Sequence, residues 1–207
     1  DEEAAALVAA VRAAGARDLD ADVALARAST RGRGALVAAL LADWSPNRSV
    51  APALHRAADA GHAEIVKALL ARARDVDAET ARGSTALALA LDKGRLDCVR
   101  ALLAAGADPN VRHEDGGTPL HWATFLGESE MVELLLEEGA DPSIENYNGQ
   151  TALDTISASW EELEGVTQWI AGIMQLEVDL ELLKEDRPAV VAALKAGGAE
   201  GGGGDGG

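Results

Sequence analysis

The chain has 207 residues, with 35 acidic and 18 basic side chains, one cysteine and six aromatic residues. The net charge of −17 excludes a sequence-independent nucleic-acid binder and does not suit an anionic membrane surface, since both need clustered Lys and Arg. A single Cys98 excludes an intrachain disulfide framework and a zinc ribbon, and the longest purely apolar run, residues 35–42, is too short for a membrane span. Small apolar residues with few aromatics favour closely packed helices over a bulky sheet core.

The first element in chain order is an alanine-rich helix over residues 3–14, ended by Gly15. We expect it to cap the N-terminal end of the fold. No charged-then-apolar leader precedes it, which favours a cytoplasmic protein, although a removed signal peptide would leave the same start. The alanine content and the preference for Arg over Lys are typical of a GC-rich, bacterial genome.

The middle of the chain repeats every 33 residues. Thr118-Pro119-Leu120-His121-Trp122-Ala123 is followed 33 residues later by Thr151-Ala152-Leu153-Asp154. The repeated features are openings at Pro52, Thr85, Thr118 and Thr151, leucine pairs at 69–70, 102–103 and 135–136, and glycines at 61, 94 and 127. Residues 23–41 keep the same pattern 29 positions before its next copy. Several features in one phase over three copies indicate a repeat architecture.

This pattern resembles the ankyrin-repeat family, whose 33-residue unit opens with a threonine-proline-leucine-histidine motif. The resemblance implies an all-α solenoid in which each unit is a turn followed by two antiparallel helices. The units would be a degenerate repeat at 21–47, repeats at 52–84, 85–117 and 118–150, and the start of a last unit at 151–158.

The motif residues have physical roles that can be stated one by one. Thr118 is placed to cap a helix, with Pro119 in the first turn, where its missing N–H costs nothing. Leu120 and Ala123 are inward positions, and the small alanine lets neighbouring helix pairs approach. Gly139 is expected to end the second helix in a left-handed turn.

Beyond the last motif, the sequence predicts a C-terminal helical extension over residues 159–196. Ser159 and Glu162 form a capping box for a helix from Trp160 to Leu176. Asp179 would cap a short helix through Lys184, and Pro188 would open a last helix that ends near Gly197. The glycine-rich segment 197–207 is expected to be a disordered tail.

Catalytic and metal chemistry find little support in the sequence. By resemblance, His55 and His121 brace the loops between repeats, and His62 also belongs to the framework, whereas His113 is expected to be solvated. Cys98 is interpreted as a small packed hydrophobe. Arg31-Gly32-Arg33-Gly34 lacks the strand and the lysine-serine ending of a phosphate-binding loop, so its glycine is better explained as a helix break. We therefore expect no enzyme, metal or cofactor.

Partner binding is the chemistry that the resemblance implies. In ankyrin arrays the loop tips and the exposed ends of the first helices line a concave groove. Transferred by phase, the candidate partner-binding residues are Arg82, Asp92, Lys93, Glu114, Asp115, Trp122, Phe125, Leu126, Tyr147 and Asn148. Trp122 and Phe125 either form a partner-facing hot spot or pack on the neighbouring repeat.

The acidic charge is concentrated in one stretch. Residues 127–186 carry 16 acids and one base, whereas residues 1–126 carry 17 acids and 15 bases. This stretch is either a solvated face or an acidic surface that attracts a basic partner. The expected function is non-catalytic binding of another protein by a chain that is monomeric on its own. A regulatory or inhibitory subunit is the expected form where the partner is an enzyme. The alternatives are an acidic mimic acting through residues 127–186 and an assembly role of the helical extension.

Overall fold

The protein is described from a computed structural model, which covers residues 18–42, 44–113, 115–157 and 180–201 besides three isolated positions. These residues form ten helices and no strand. The helices are α1 (Asp18–Thr30), α2 (Gly34–Ala42), α3 (Ala51–Ala60), α4 (Ala63–Leu70), α5 (Ala86–Asp92), α6 (Leu96–Ala104), α7 (Pro119–Leu126), α8 (Ser129–Glu137), α9 (Ala152–Ile156) and α10 (Leu180–Gly201). The expected cap helix at 3–14 and the helix from Trp160 to Leu176 lie outside the described residues.

The chain divides into two compact units, Asp1–Ala107 and Asp108–Gly207, which we call unit 1 and unit 2. In unit 1 the first helices of successive repeats, α1, α3 and α5, pack side by side. The second helices, α2, α4 and α6, pack beside one another and each also packs on the first helix of its own repeat. Unit 1 is therefore built from two layers of helices.

The core of unit 1 is formed by the inward residues of the repeated motif. Leu25, Leu54 and Leu87 are each 1% exposed, and Ala57 and Ala90 are fully buried. Alanine at the contact between neighbouring first helices removes side-chain bulk, so these helices approach closely and still exclude water. The expected inward positions are confirmed.

Unit 2 begins its helices with the caps that the sequence predicts. The backbone N–H of Thr118 donates to Nδ1 of His121 over 3.2 Å, and Pro119 occupies the first turn of α7. In α9 the backbone N–H of Thr151 donates to Asp154 Oδ2 over 2.9 Å, while the Thr151 hydroxyl donates to the same oxygen over 2.7 Å. Both caps satisfy backbone groups that the start of a helix leaves unpaired.

The C-terminal part of the chain differs from the sequence prediction. Two expectations are wrong for the described residues, namely a helix break near Pro188 and disorder from Gly197 onward. Helix α10 runs through both positions to Gly201. Gly197 lies so close to Leu136 of α8 that a Cβ at this glycine would stand 2.9 Å from Leu136 Cδ2. With Val190 and Leu194 buried as well, packing offsets the poor helix propensity of glycine, about 1 kcal/mol per residue. Residues 202–207 lie outside the described part.

Helix α10 takes the place of the second helix of the last repeat. It packs on α9 and on α8, as each second helix of unit 1 packs on its first helix and on a second helix beside it. Nε and Nη2 of Arg187 donate to the carbonyl oxygen of Ile156 over 3.1 and 2.7 Å, at the end of α9. The sequence agrees, since Val190 and Leu194 each stand 59 positions after Met131 and Leu135. That spacing exceeds the 33-residue period, so an insertion separates the two helices of the last repeat.

Among the described helices, none combines the length and the apolar character that a membrane span requires.

Candidate functional site

Three hairpin loops share one hydrogen-bonded turn, at Thr80–Ser84, His113–Gly117 and Asn146–Gln150. In each loop the N–H of the first residue donates to the carbonyl of the fifth over 2.9 Å. The glycine in fourth place donates back to the carbonyl of the first residue over 2.9 to 3.0 Å and has a positive φ of 72 to 76°. The turn holds the tip residues in one backbone conformation, which makes the tips suitable for presenting side chains to a partner.

In unit 2 the tips of two successive loops are joined. The N–H of Tyr147 donates to the carbonyl of Asp115 over 3.0 Å. The Tyr147 ring also covers Gly116, where a Cβ would stand only 2.7 Å from Tyr147 Cδ1. Even so, Tyr147 is 72% exposed. Because Gly116 has no side chain, the Tyr147 ring packs directly on it, and Tyr147 still keeps most of its surface in water.

A row of three rings runs from His113 in the loop to Trp122 and Phe125 on α7. The Trp122 and Phe125 centroids are 6.0 Å apart with the rings nearly perpendicular, at 89°. The His113 and Trp122 centroids are 6.5 Å apart with an angle of 59°. All three side chains are half-buried, so each packs on a neighbour and still reaches solvent. Edge-to-face pairs of this kind stabilise by about 0.5–1.5 kcal/mol beyond area burial.

His113 is not the solvated residue that the sequence predicts. Its Nε2 is buried and has no hydrogen-bond partner among the described residues. The backbone N–H and carbonyl of His113 are both used in the turn with Gly116 and Gly117, which places the ring beside Trp122. The prediction failed because only the fold of this loop brings residues 113 and 122 together.

The other three histidines are framework residues, as expected. His55 Nε2 donates to the carbonyl oxygen of Ala78 over 2.7 Å. Burial lowers the pKa of His55, the Arg56 charge lowers it further, and the hydrogen bond to Ala78 raises it. A neutral ring with Nε2 protonated fits this contact. His55 therefore braces the loop at the end of its own repeat.

His121 and His62 brace other parts of the framework. Because Nδ1 of His121 accepts from the Thr118 N–H, the proton of a neutral ring is on Nε2, which donates to the carbonyl oxygen of Gln150 over 2.9 Å. The His62 ring covers Gly32, and its Nε2 lies 3.1 Å from the carbonyl oxygen of Thr30. His121 thus braces the end of its own repeat, 118–150, whereas His62 joins repeat 52–84 to the degenerate repeat 21–47.

Cys98 is a packed side chain in α6. It is 1% exposed, and burial, aided by the Asp97 charge, raises the pKa of the thiol to about 11. The thiol is protonated at neutral pH and is a poor nucleophile. The interpretation of Cys98 as a small hydrophobe is confirmed.

The candidate partner-binding residues divide between the two units. In unit 1, Arg82 is exposed at a loop tip, Lys93 is exposed after α5, and Asp92 is half-buried at the end of α5. In unit 2, Asp115, Tyr147 and Asn148 are exposed in the loops, and Trp122, Phe125 and Leu126 are half-buried on α7. Glu114 lies outside the described residues. The structure brings Trp122 and Phe125 together and adds His113, which is not among the candidates, while Tyr147 lies on the loop that is hydrogen-bonded to Asp115.

No group of three or more metal-ligating side chains occurs in the described part of the chain.

Two stretches of the sequence, residues 25–113 and 102–173, match the family model for ankyrin repeats (3 copies). The chain belongs to the ankyrin-repeat family. The all-α ankyrin fold expected from the sequence is confirmed. No curated protein matches the sequence. Ankyrin repeats are generally protein–protein interaction modules, and proteins of this family are typically non-catalytic.

Proposed function

We propose that the chain is a non-catalytic recognition module that binds a protein partner through an aromatic surface in unit 2. We define this aromatic surface as His113, Trp122, Phe125 and Tyr147. The observation that supports the proposal is the 72% exposure of Tyr147, whose loop is hydrogen-bonded to the loop that carries His113. Aromatic side chains of this kind are the residues that most often anchor protein interfaces. A partner bound here would act as the regulated component if it is an enzyme, with this chain as its regulatory or inhibitory subunit.

The loops make the aromatic surface ready to bind. The turn hydrogen bonds fix the loops at 113–117 and 146–150, and the Tyr147–Asp115 hydrogen bond joins these two loops. Binding therefore needs little further ordering of their backbone. Tyrosine and tryptophan lose few rotamers when they are covered, because their side chains have only two χ angles. A preformed surface with low ordering cost favours affinity over adaptability.

The test is capture of proteins from cells of the source organism by the full 207-residue chain. Phe125→Ser and Tyr147→Ser should remove a specific partner that the unaltered chain retains, since each removes a ring of the aromatic surface. Leu70→Ser is the matched control, because Leu70 is also half-buried but lies on the second helix α4. The melting temperature of each variant is measured alongside.

Two results would contradict the proposal. In the first, Leu70→Ser loses the partner as fully as the two aromatic substitutions do. In the second, Phe125→Ser and Tyr147→Ser lower the melting temperature sharply and the partner is lost only where the protein unfolds. The rings would then belong to the packing of unit 2.

A second candidate function is an acidic mimic that attracts a basic partner through residues 127–186. The observation that favours it is the net charge of −15 in this stretch, with Glu133, Glu137 and Glu138 all exposed on or after α8. Long-range attraction by such a surface accelerates association and weakens with salt. The triple substitution Glu133→Gln, Glu137→Gln, Glu138→Gln should then slow association with the partner, while Phe125→Ser should leave it unchanged.

A further inference from the structure

A cleft of about 360 Å³ lies in unit 1 between α1 and α2, and none of its lining residues belongs to the aromatic surface. Its lining has two kinds of residue. The apolar residues are Val23, Ala24, Ala28 and Leu36, and the charged residues are Arg27, Arg31 and Arg33. We call this site the arginine cleft.

The backbone fixes where the three arginines stand. Arg27 lies in the last turn of α1 and Arg31 directly follows the helix, where its N–H donates to the carbonyl of Arg27 over 3.2 Å. This continued helical spacing keeps the two Cβ atoms about 5–6 Å apart. Arg33 follows the turn at Gly32 and precedes α2, and its N–H donates to the carbonyl of Ala28 over 3.0 Å. The His62 ring covers Gly32 and thereby holds the turn that separates Arg31 from Arg33.

The three guanidinium groups have no protein partner in the part of the chain that the structure describes. Within the described residues, neither an ion pair nor a side-chain hydrogen bond involves Arg27, Arg31 or Arg33. By contrast, Arg48 in the same unit donates to Asp22 Oδ1 over 2.6 Å. The donors of the arginine cleft are therefore available to an external acceptor, and guanidinium forks match carboxylates well.

The apolar wall adds a second kind of contact. Val23 is 46% exposed, which is unusual among the large apolar side chains of the described residues, where only Tyr147 is also exposed. A ligand that satisfies both the arginines and this wall must carry several separate negative groups and an apolar side chain between them. An extended peptide rich in Asp and Glu has this chemistry.

We propose that the arginine cleft binds an acidic peptide segment of a partner protein, with carboxylates on Arg27, Arg31 and Arg33 and an apolar side chain against Val23. The charge of the whole chain, −17, repels such a segment at long range. Attraction therefore comes from the three arginines at short range, within about one Debye length of 8–10 Å. This site is separate from the aromatic surface and does not depend on the proposed function of unit 2.

The test uses the full chain and a fluorescein-labelled peptide, Gly-Asp-Glu-Leu-Asp-Glu-Gly, with fluorescence anisotropy as the readout. The neutral peptide Gly-Asn-Gln-Leu-Asn-Gln-Gly is the ligand control. We expect the acidic peptide to bind and the triple substitution Arg27→Gln, Arg31→Gln, Arg33→Gln to weaken it by about tenfold or more.

The matched protein control removes the same charge elsewhere in unit 1. Arg56→Gln, Lys67→Gln and Arg72→Gln alter three other exposed cations, and together they should weaken the peptide by less than about twofold. Equal weakening by the two triple variants would overturn the proposal, because attraction would then be diffuse. Thermal unfolding checks that both triple variants remain folded.

A second measurement tests the apolar wall without touching charge. Val23→Ser and replacement of the peptide leucine by serine should each weaken binding by about threefold, and the two changes together should weaken it no further, because they remove the same contact. Additive losses would place the leucine elsewhere and overturn the assignment of the apolar wall.

Sedimentation of the free chain tests whether a second copy of the chain occupies the arginine cleft. Self-association that the arginine triple variant abolishes, without binding of the acidic peptide, would make a second copy the occupant and refute the proposal.

Discussion

Units 1 and 2 share a framework and differ in what they place on it. The inward leucine of the motif is buried in both, as Leu87 in unit 1 and Leu120 in unit 2. The position of Trp122 is occupied by Leu89 in the preceding repeat, and that of Phe125 by Asp92. The core of the repeat therefore depends on a few inward positions, and the other positions can vary in ways that suit binding.

The charged residues also differ between unit 1 and unit 2. Within the described residues, three arginines of unit 1 lie around an apolar cleft without an ion pair, while the stretch 127–186, which lies in unit 2, has 16 acids and one base. Under the two proposals, an acidic segment would bind in unit 1 and a basic segment in unit 2. Substitutions in each unit can measure how far the two units are equivalent.

The largest effect is expected where α10 completes unit 2. Leu194→Ala should reduce the free energy of unfolding by about 3 kcal/mol, as buried leucine-to-alanine changes do, since Leu194 is 2% exposed. Val191→Ala is the control on the same helix, because Val191 is only half-buried, and it should cost about 1 kcal/mol or less. Urea denaturation of both variants measures the difference. Equal small losses would mean that α10 does not serve as a second helix.

A smaller effect is expected at the hairpin glycines. Gly83→Ala in unit 1 and Gly149→Ala in unit 2 should each cost about 1 kcal/mol, because alanine is strained at positive φ, although the nearest neighbour of a Cβ would be 4.0 Å away. Gly116→Ala should cost about 2 kcal/mol, because it has the same strain and must also displace the Tyr147 ring. Chemical denaturation compares the three. If all three variants lose the same stability, the ring does not rest on Gly116.

The smallest effect concerns pH. Burial, followed by the Asp186 and Glu130 charges, raises the pKa of Glu128. A raised pKa in the folded state stabilises only while the group is protonated, so this contribution is complete below the unfolded pKa and disappears as pH rises through the folded pKa. Glu128→Gln should therefore stabilise unit 2 by a few tenths of a kcal/mol near neutral pH, since the side chain is partly solvated. The gain should vanish near pH 4, as measured by urea denaturation at both pH values.

His55 gives unit 1 the opposite dependence. Burial lowers its pKa, so the stability that it contributes is present above the unfolded pKa and is lost as pH falls through the folded pKa. In the same experiment, the loss of stability in His55→Gln relative to the unaltered chain should be larger near pH 8 than near pH 5. A difference that is constant over this range would show that the His55 ring contributes only by its shape.

The repeat framework could be predicted from the sequence because it depends on contiguous spacing. The 33-residue period placed the first and second helices, and Thr118 and Thr151 cap their helices as expected. The role of α10 was missed, because the insertion before it shifts the phase of Val190 and Leu194 relative to Met131 and Leu135. The later match of Gly198-Ala199-Glu200 with Gly139-Ala140-Asp141 was the signal that could have found it.

The binding features were predicted less completely, since they depend on contacts across loops. Phase transferred Trp122, Phe125 and Tyr147 to the candidate set, but it could not place the His113 ring beside Trp122 or the Tyr147 ring on Gly116. The arginine cleft was missed for a similar reason. Arg31 and Arg33 were considered only as part of a phosphate-binding loop, whereas the cleft joins them to Arg27 and an apolar wall.

The insertion before α10 also affects how the chain folds during synthesis. Helix α4 ends at Leu70 and its neighbour α6 ends at Ala104, whereas α8 ends at Glu137 and its neighbour α10 ends at Gly201. At about 5–20 residues per second, the ribosome delivers α6 roughly 2–7 s after α4 but α10 roughly 3–13 s after α8. The interval before α10 can cover the Leu136 side chain of α8 is therefore almost twice the interval between α4 and α6. During that interval the glutamates of α8 discourage aggregation.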